Sequence, residues 1–93
     1  MTYLMPKQYT TPKVNLNGTS AETLREEWQR ARTSVCQAIH DLNAATCHPR
    51  DFQFQEQGAW VHAKSELDTV LAYMDDAYEL TTQWLTSIEE QRN

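Results

Sequence analysis

Cys36 and His40 stand four residues apart, so on a helix they share a face and could hold one metal ion between them. No CxxC or HxxxH spacing accompanies the pair, and Cys47 and His48 come only after the start of a connection. The set reads as a small helical thiol with surface imidazoles, and no metal or other cofactor is expected. Carboxylate chemistry fares no better. Asp75 and Asp76 are adjacent, about 100° apart on a helix, and cannot face one another. Glu66 and Asp68 have the same difficulty. Glu26 and Glu27 alternate with Arg25, Arg30 and Arg32 as a solvated face would. Within it, Glu26 and Arg30 are expected to pair at i,i+4, worth a few tenths of a kcal/mol. The chain has no glycine-rich phosphate loop, no nucleophile elbow and no defensible Ser/His/Asp arrangement. It is not expected to be an enzyme.

The aromatic residues offer a different chemistry. Tyr3, Tyr9, Phe52 and Phe54 lie outside the helical patterns, with Lys7, Lys13, Arg25 and Arg50 as the nearest basic residues. Rings that can stack on a base, near cations that can hold a phosphate, are what a nucleotide ligand requires. The plainer alternative is that Tyr9 pins an N-terminal arm and that Arg50 pairs with Asp51. Trp28, Trp60 and Trp84 fall on the periodic faces and are expected in the core.

The elements that must position these groups are helices. From Gly58 to Gln91 the series Trp60, Ala63, Leu67, Val70, Met74, Ala77, Thr81, Trp84, Ile88 steps alternately by three and four, one face of a long helix with Thr81 its only polar member. Leu71, Tyr78 and Leu85 form a second row beside it. The same spacing carries Leu24, Trp28, Ala31, Val35, Ala38, Leu42 and Ala45 along an earlier helix, with Ile39 widening the face. Thr19 and Glu22 have the spacing of a capping box at its start, and Pro49 opposes continuation beyond His48. The expected architecture is all-α. An extended arm over residues 1–18 leads into a hairpin of helix 19–45, loop 46–57 and helix 58–91. The arm contains Pro6 and Pro12 and is too apolar to float free; it is expected along a groove of its own helices or of a neighbouring subunit.

Ninety-three residues bound the chain to one small domain. A net charge of −5 argues against a duplex nucleic-acid binder. The charge is uneven: residues 1–64 hold seven of the eight Lys and Arg, and residues 65–93 hold seven of the thirteen acids. An anionic ligand belongs with the first part. Cys36 and Cys47 on one helix would stand roughly 16 Å apart, beyond the about 7 Å that a disulfide spans. Reduced thiols, no apolar h-region in Met1–Leu16 and no run of about 20 apolar residues point to a cytoplasmic chain without a membrane span.

The opening Asn15-Leu16-Asn17-Gly18-Thr19-Ser20-Ala21-Glu22, the loop residues Arg50-Asp51-Phe52 with Gln57-Gly58-Ala59, and the single long helix that follows resemble a known family. These features are similar to those of the small phage anti-CBASS hairpin proteins, cyclic-oligonucleotide sponges related to the hairpin domain of some anti-Thoeris proteins. The resemblance covers roughly residues 14–90. His48-Pro49 departs from it, standing where an Asn-Gly-type turn would precede the Arg-Asp pair. The resemblance implies a helical homohexamer in the host cytoplasm. It would sequester cyclic di- and trinucleotide messengers without cleaving them. It places Tyr9 on a base and Arg25 on a phosphate, with Lys13 and Arg50 as nearby candidates, and gives Lys64 to a second site for cyclic trinucleotides. Two other classes fit the helical pattern: an inhibitor that captures a partner protein's helix on its hairpin, and a structural phage component.

Overall fold

The computed structural model describes residues 8–92. Two helices account for most of them: α1 (Ala21–Ala44) and α2 (Ala59–Gln91), with a single 3-10 turn, Pro49–Phe52, in the connection. The helices pack antiparallel. Trp28 of α1 lies against Trp84 of α2 with ring centroids 4.3 Å apart, Arg32 reaches Tyr78 and Thr82, and Arg25 and Glu22 meet Glu89 and Arg92. The result is a rod of 60 × 23 × 17 Å. Its radius of gyration is 18.2 Å, against about 12 Å for a compact domain of this length.

Ser20, rather than Thr19, caps α1. Its hydroxyl accepts the Thr23 N–H at 3.1 Å and donates to the Thr23 hydroxyl at 2.9 Å. The expected capping box is not formed, because the Glu22 carboxylate is drawn away to Arg25 and Arg92. The helix therefore begins two residues later than the sequence suggests. It stops at Ala44 because Ala45 is already extended, with φ −66° and ψ 145°. Ahead of it, Asn15-Leu16-Asn17-Gly18 makes a turn in which the Gly18 N–H reaches the Asn15 carbonyl at 3.2 Å. The Asn15 side chain also accepts the Asn17 N–H at 3.0 Å, so this asparagine reinforces the turn locally.

In the connection, His48 Nδ1 accepts the Arg50 N–H at 3.1 Å and so caps the 3-10 turn. Phe52 packs on Trp60 with centroids 5.9 Å apart. Phe54 does not share in this anchoring and is 94% exposed. Gly58 introduces α2 with φ +91°, a left-handed conformation that a residue with a Cβ adopts only with strain.

The buried seam of α2 wanders from the regular alternation. Leu71, Tyr78 and Leu85 are buried or half-buried with Trp60, Ala63, Leu67, Met74, Thr81 and Ile88, whereas Val70 and Ala77 are exposed. An α-helix has 3.6 residues per turn and drifts by about 20° per heptad against a strict 3.5 repeat. A hairpin without a sustained supercoil therefore swaps members of one row for members of the next. Only Thr81, Leu85 and Ile88 are buried among the described residues, and α1 has none. Thr81 enters an apolar seam by donating its hydroxyl to the Tyr78 carbonyl at 2.7 Å, which satisfies the one polar group it carries.

Ile88 is fully buried, so Ile88→Ala should cost about 2–4 kcal/mol of unfolding free energy. Val61 is 67% exposed, and Val61→Ala should stay within about 0.5 kcal/mol. Urea titrations of the two variants check the ranking; equal losses would mean that the seam is drawn wrongly.

Candidate functional site

The arm lies on the C-terminal half of α2, held by glutamine side chains. The Tyr9 N–H donates to Gln83 Oε1 at 2.9 Å. The Val14 N–H donates to Gln91 Oε1 at 2.8 Å, and Gln91 Nε2 returns a hydrogen bond to the Pro12 carbonyl at 2.9 Å. The chain thus runs extended and parallel to α2, on its own hairpin, with no regular structure of its own. Tyr9 is half-buried there and Lys13 exposed. Tyr3 and Lys7 lie outside the described residues.

Arg25 sits at the same end of the rod. It donates to Glu22 at 2.8 Å, and its Nε lies 3.9 Å from Glu89. Arg92 completes the group, 3.0 Å from Glu22 and 3.3 Å from Glu89. Two cations and two carboxylates thus fasten the start of α1 to the end of α2. The pair expected between Glu26 and Arg30 is not formed; both side chains are exposed on α1, where water solvates each charge. The hydrogen bond from Arg25, with the charges of Arg25 and Arg92 behind it, holds the Glu22 carboxyl below its ordinary value of 4.5. Glu22 in turn raises the Arg25 guanidinium.

Two buried donors at this end lack an acceptor, Arg25 Nε and Trp84 Nε1. A buried N–H without a partner is uncommon, and each costs the desolvation of the group.

The remaining candidates lie elsewhere. Arg50 is exposed in the 3-10 turn, at the hairpin end opposite the Gln83–Gln91 segment, and forms no ion pair with Asp51 or any other described residue. Lys64 is on the first turns of α2, where it donates to Asp68 at 2.8 Å. That hydrogen bond raises the lysine above its ordinary range. The fold brings the arm and Arg25 to one end of the rod, and places Lys64 and Arg50 toward the other. Tyr9 and Arg25 do not touch within one chain: their α2 partners, Gln83 and Glu89, are six residues apart, about 9 Å of helix.

Cys36 and His40 share a groove wall on α1, and no group of three metal-ligating side chains is found among the described residues. Cys36 and Cys47 are both free thiols. Sequence reasoning missed Gln83, Gln91 and Arg32. The two glutamines and Ser87 fall at successive i,i+4 positions of α2, a polar line beside the apolar seam that could have marked the arm's track. Arg32 falls one turn after Trp28, at the edge of the α1 face, where a long side chain can reach a partner helix.

No family model matches this sequence, no curated protein matches it, and no solved structure matches the chain.

The electrostatic group makes a pH prediction. Glu22 is held below its ordinary value, so its stabilising contribution is fully present above about pH 4.5 and is lost as the pH falls through the lower value of the folded state. Carboxyl titration by NMR should place the Glu22 midpoint below 4.5. Arg25→Ala should move it upward, because the largest cause of the shift is then gone. A midpoint unchanged by that substitution would contradict the assignment.

Proposed function

We propose that this protein sequesters cyclic di- and trinucleotide messengers without cleaving them, as a phage protein that blunts a host's nucleotide-signalled defence in the host cytoplasm. The observation that carries this reading is the meeting, at one end of the rod, of two features. These are an arm bearing a half-buried tyrosine and a part-exposed guanidinium in the first turns of α1. A cyclic dinucleotide suits both: flat bases for the ring, and phosphate oxygens for the guanidinium. The resemblance of the Asn15–Glu22 opening and the Arg50–Phe52 loop to the sponge family points to the same chemistry.

The shape supports assembly. The accessible surface is 7132 Å2, against roughly 5,500 Å2 for a compact chain of this mass. Val70 and Tyr73 are 48% and 66% exposed on α2. A closed homo-oligomer, six copies by resemblance, covers such a face and sets the arm of one subunit beside the first helix of another. Tyr9 and Arg25, apart within one chain, then serve one ligand, with Lys13 on the same arm; Arg50 reaches that ligand only from a neighbouring subunit. Lys64, at the other end, belongs to a separate trinucleotide site. The exposed Val70–Tyr73 face equally suits capture of a partner protein's helix, and that reading is kept as the alternative.

Isothermal calorimetry with a panel of cyclic di- and trinucleotides tests the proposal, and chromatography after overnight incubation should return the ligand intact. Tyr9→Ala and Arg25→Ala should each weaken cyclic-dinucleotide binding by about tenfold to a hundredfold, with the helical circular dichroism retained. Because Glu22 already occupies Arg25, Glu22→Gln should hold the ligand at least as tightly as the wild type. Lys64→Ala should change only trinucleotide binding. Light scattering should give several times 10.8 kDa. No heat with any cyclic nucleotide, together with a stable protein partner recovered from host lysate, would favour the alternative.

A further inference from the structure

Arg32 differs from the other paired cations of the molecule. Arg25, Lys64 and Arg92 each meet a carboxylate. Arg32 is half-buried between the helices and meets only neutral groups. Its Nε donates to the Thr82 hydroxyl at 2.9 Å and a terminal nitrogen donates to the Tyr78 hydroxyl at 2.6 Å. The guanidinium carbon stands 4.9 Å from the centre of the Tyr78 ring. A guanidinium has five N–H donors, and these contacts account for two. Its charge has been drawn partly out of water with no ion pair to a carboxylate among the described residues, while Tyr78 and Thr82 hold the planar fork in place.

Open grooves flank it on both sides. One, of about 460 Å3, is lined by Arg32, Thr82 and Leu85 but also by Glu89 and Glu90, which repel an anion. The other, of about 430 Å3, is lined by Arg32, Thr33, Cys36, Gln37, His40 and Tyr78. It has no carboxylate in its wall and is rich in hydrogen-bond donors. Its volume lies within the range of small-molecule sites.

We propose that this second groove is a phosphate-binding site, in which the free N–H groups of Arg32 hold phosphate oxygens and Thr33 and His40 supply further donors. A fork already fixed by neutral partners loses little freedom when it takes up two oxygens at once. The site uses neither Tyr9 nor Arg25 and does not rest on the role proposed for the arm. The phosphate is either free or carried by a small organic molecule, and the experiment separates these sources.

Side-chain NMR of protein labelled at arginine Nε, titrated at constant ionic strength with inorganic phosphate, adenosine 5′-monophosphate or chloride, reads the site directly. The Arg32 Nε–H signal should shift saturably with both phosphate probes and not with chloride. Tighter binding of the nucleotide assigns the groove to an organic phosphate, and equal binding assigns it to the free ion. Arg32→Gln should lose about tenfold or more in affinity, while Tyr9→Ala leaves the titration unchanged. If Arg32→Gln does not fold, as its circular dichroism will show, the wild-type titration decides alone. An Arg32 signal unmoved by both phosphate probes, a shift confined to Arg25, or a folded Arg32→Gln protein that binds like the wild type would each overturn the proposal.

Discussion

Two helices in contact can bury one stripe from each, and nothing in a hairpin covers the rest. That geometric limit governs this molecule. α2 has 33 residues, yet only Thr81, Leu85 and Ile88 are buried among the described residues, and all three lie in its last third. The tightest part of the seam is where a third layer, the arm, adds to the two helices. Elsewhere the apolar residues of both helices are half-buried at best. Burial and the cross-chain polar contacts are therefore concentrated at the same end of the rod, because the arm brings both apolar cover and polar groups to it.

Charge is arranged to suit. Glu22, Arg25, Glu89 and Arg92 join the start of α1 to the end of α2, and the pairs are partly exposed, so each contributes little by itself and less in high salt. Their value lies in geometry: four long side chains flank the buried Leu85 and Ile88 and fix the relative position of the two helix ends. Arg32, deeper along the same interface, is positioned by an aromatic ring and two hydroxyls instead, with no ion pair among the described residues.

The hairpin was legible in the sequence because three–four alternation is a local signal repeated many times. Two helices follow from it, and Pro49 marks the short connection between them. What was less legible depended on choices between near-equal local options or on distant partners. Thr19 and Ser20 are both good caps; Ser20 wins where Glu22 is taken by arginines, one of them seventy positions away in sequence. Val70 and Leu71 are both apolar; helical drift puts Leu71 in the seam. For the proposed nucleotide site, residue type nominated Tyr9, Lys13, Arg25 and Arg50, and only the family resemblance assigned roles to Tyr9 and Arg25, since no periodicity marks either. The track of the arm was missed because no local rule says that Gln91 should meet Pro12 and Val14.

That last contact has a dynamic consequence. The amide of Gln91 accepts from one arm residue and donates to another, as a neighbouring strand's peptide group would. Yet it is borne by the final residue of α2, where helices fray. Unwinding the last turn therefore unclasps the arm in the same event, and docking the arm holds that turn wound. The two form one cooperative opening unit, separable in hydrogen exchange from the Ile88 region behind it. Amide protection of Val14 should then rise and fall with that of the last α2 turn.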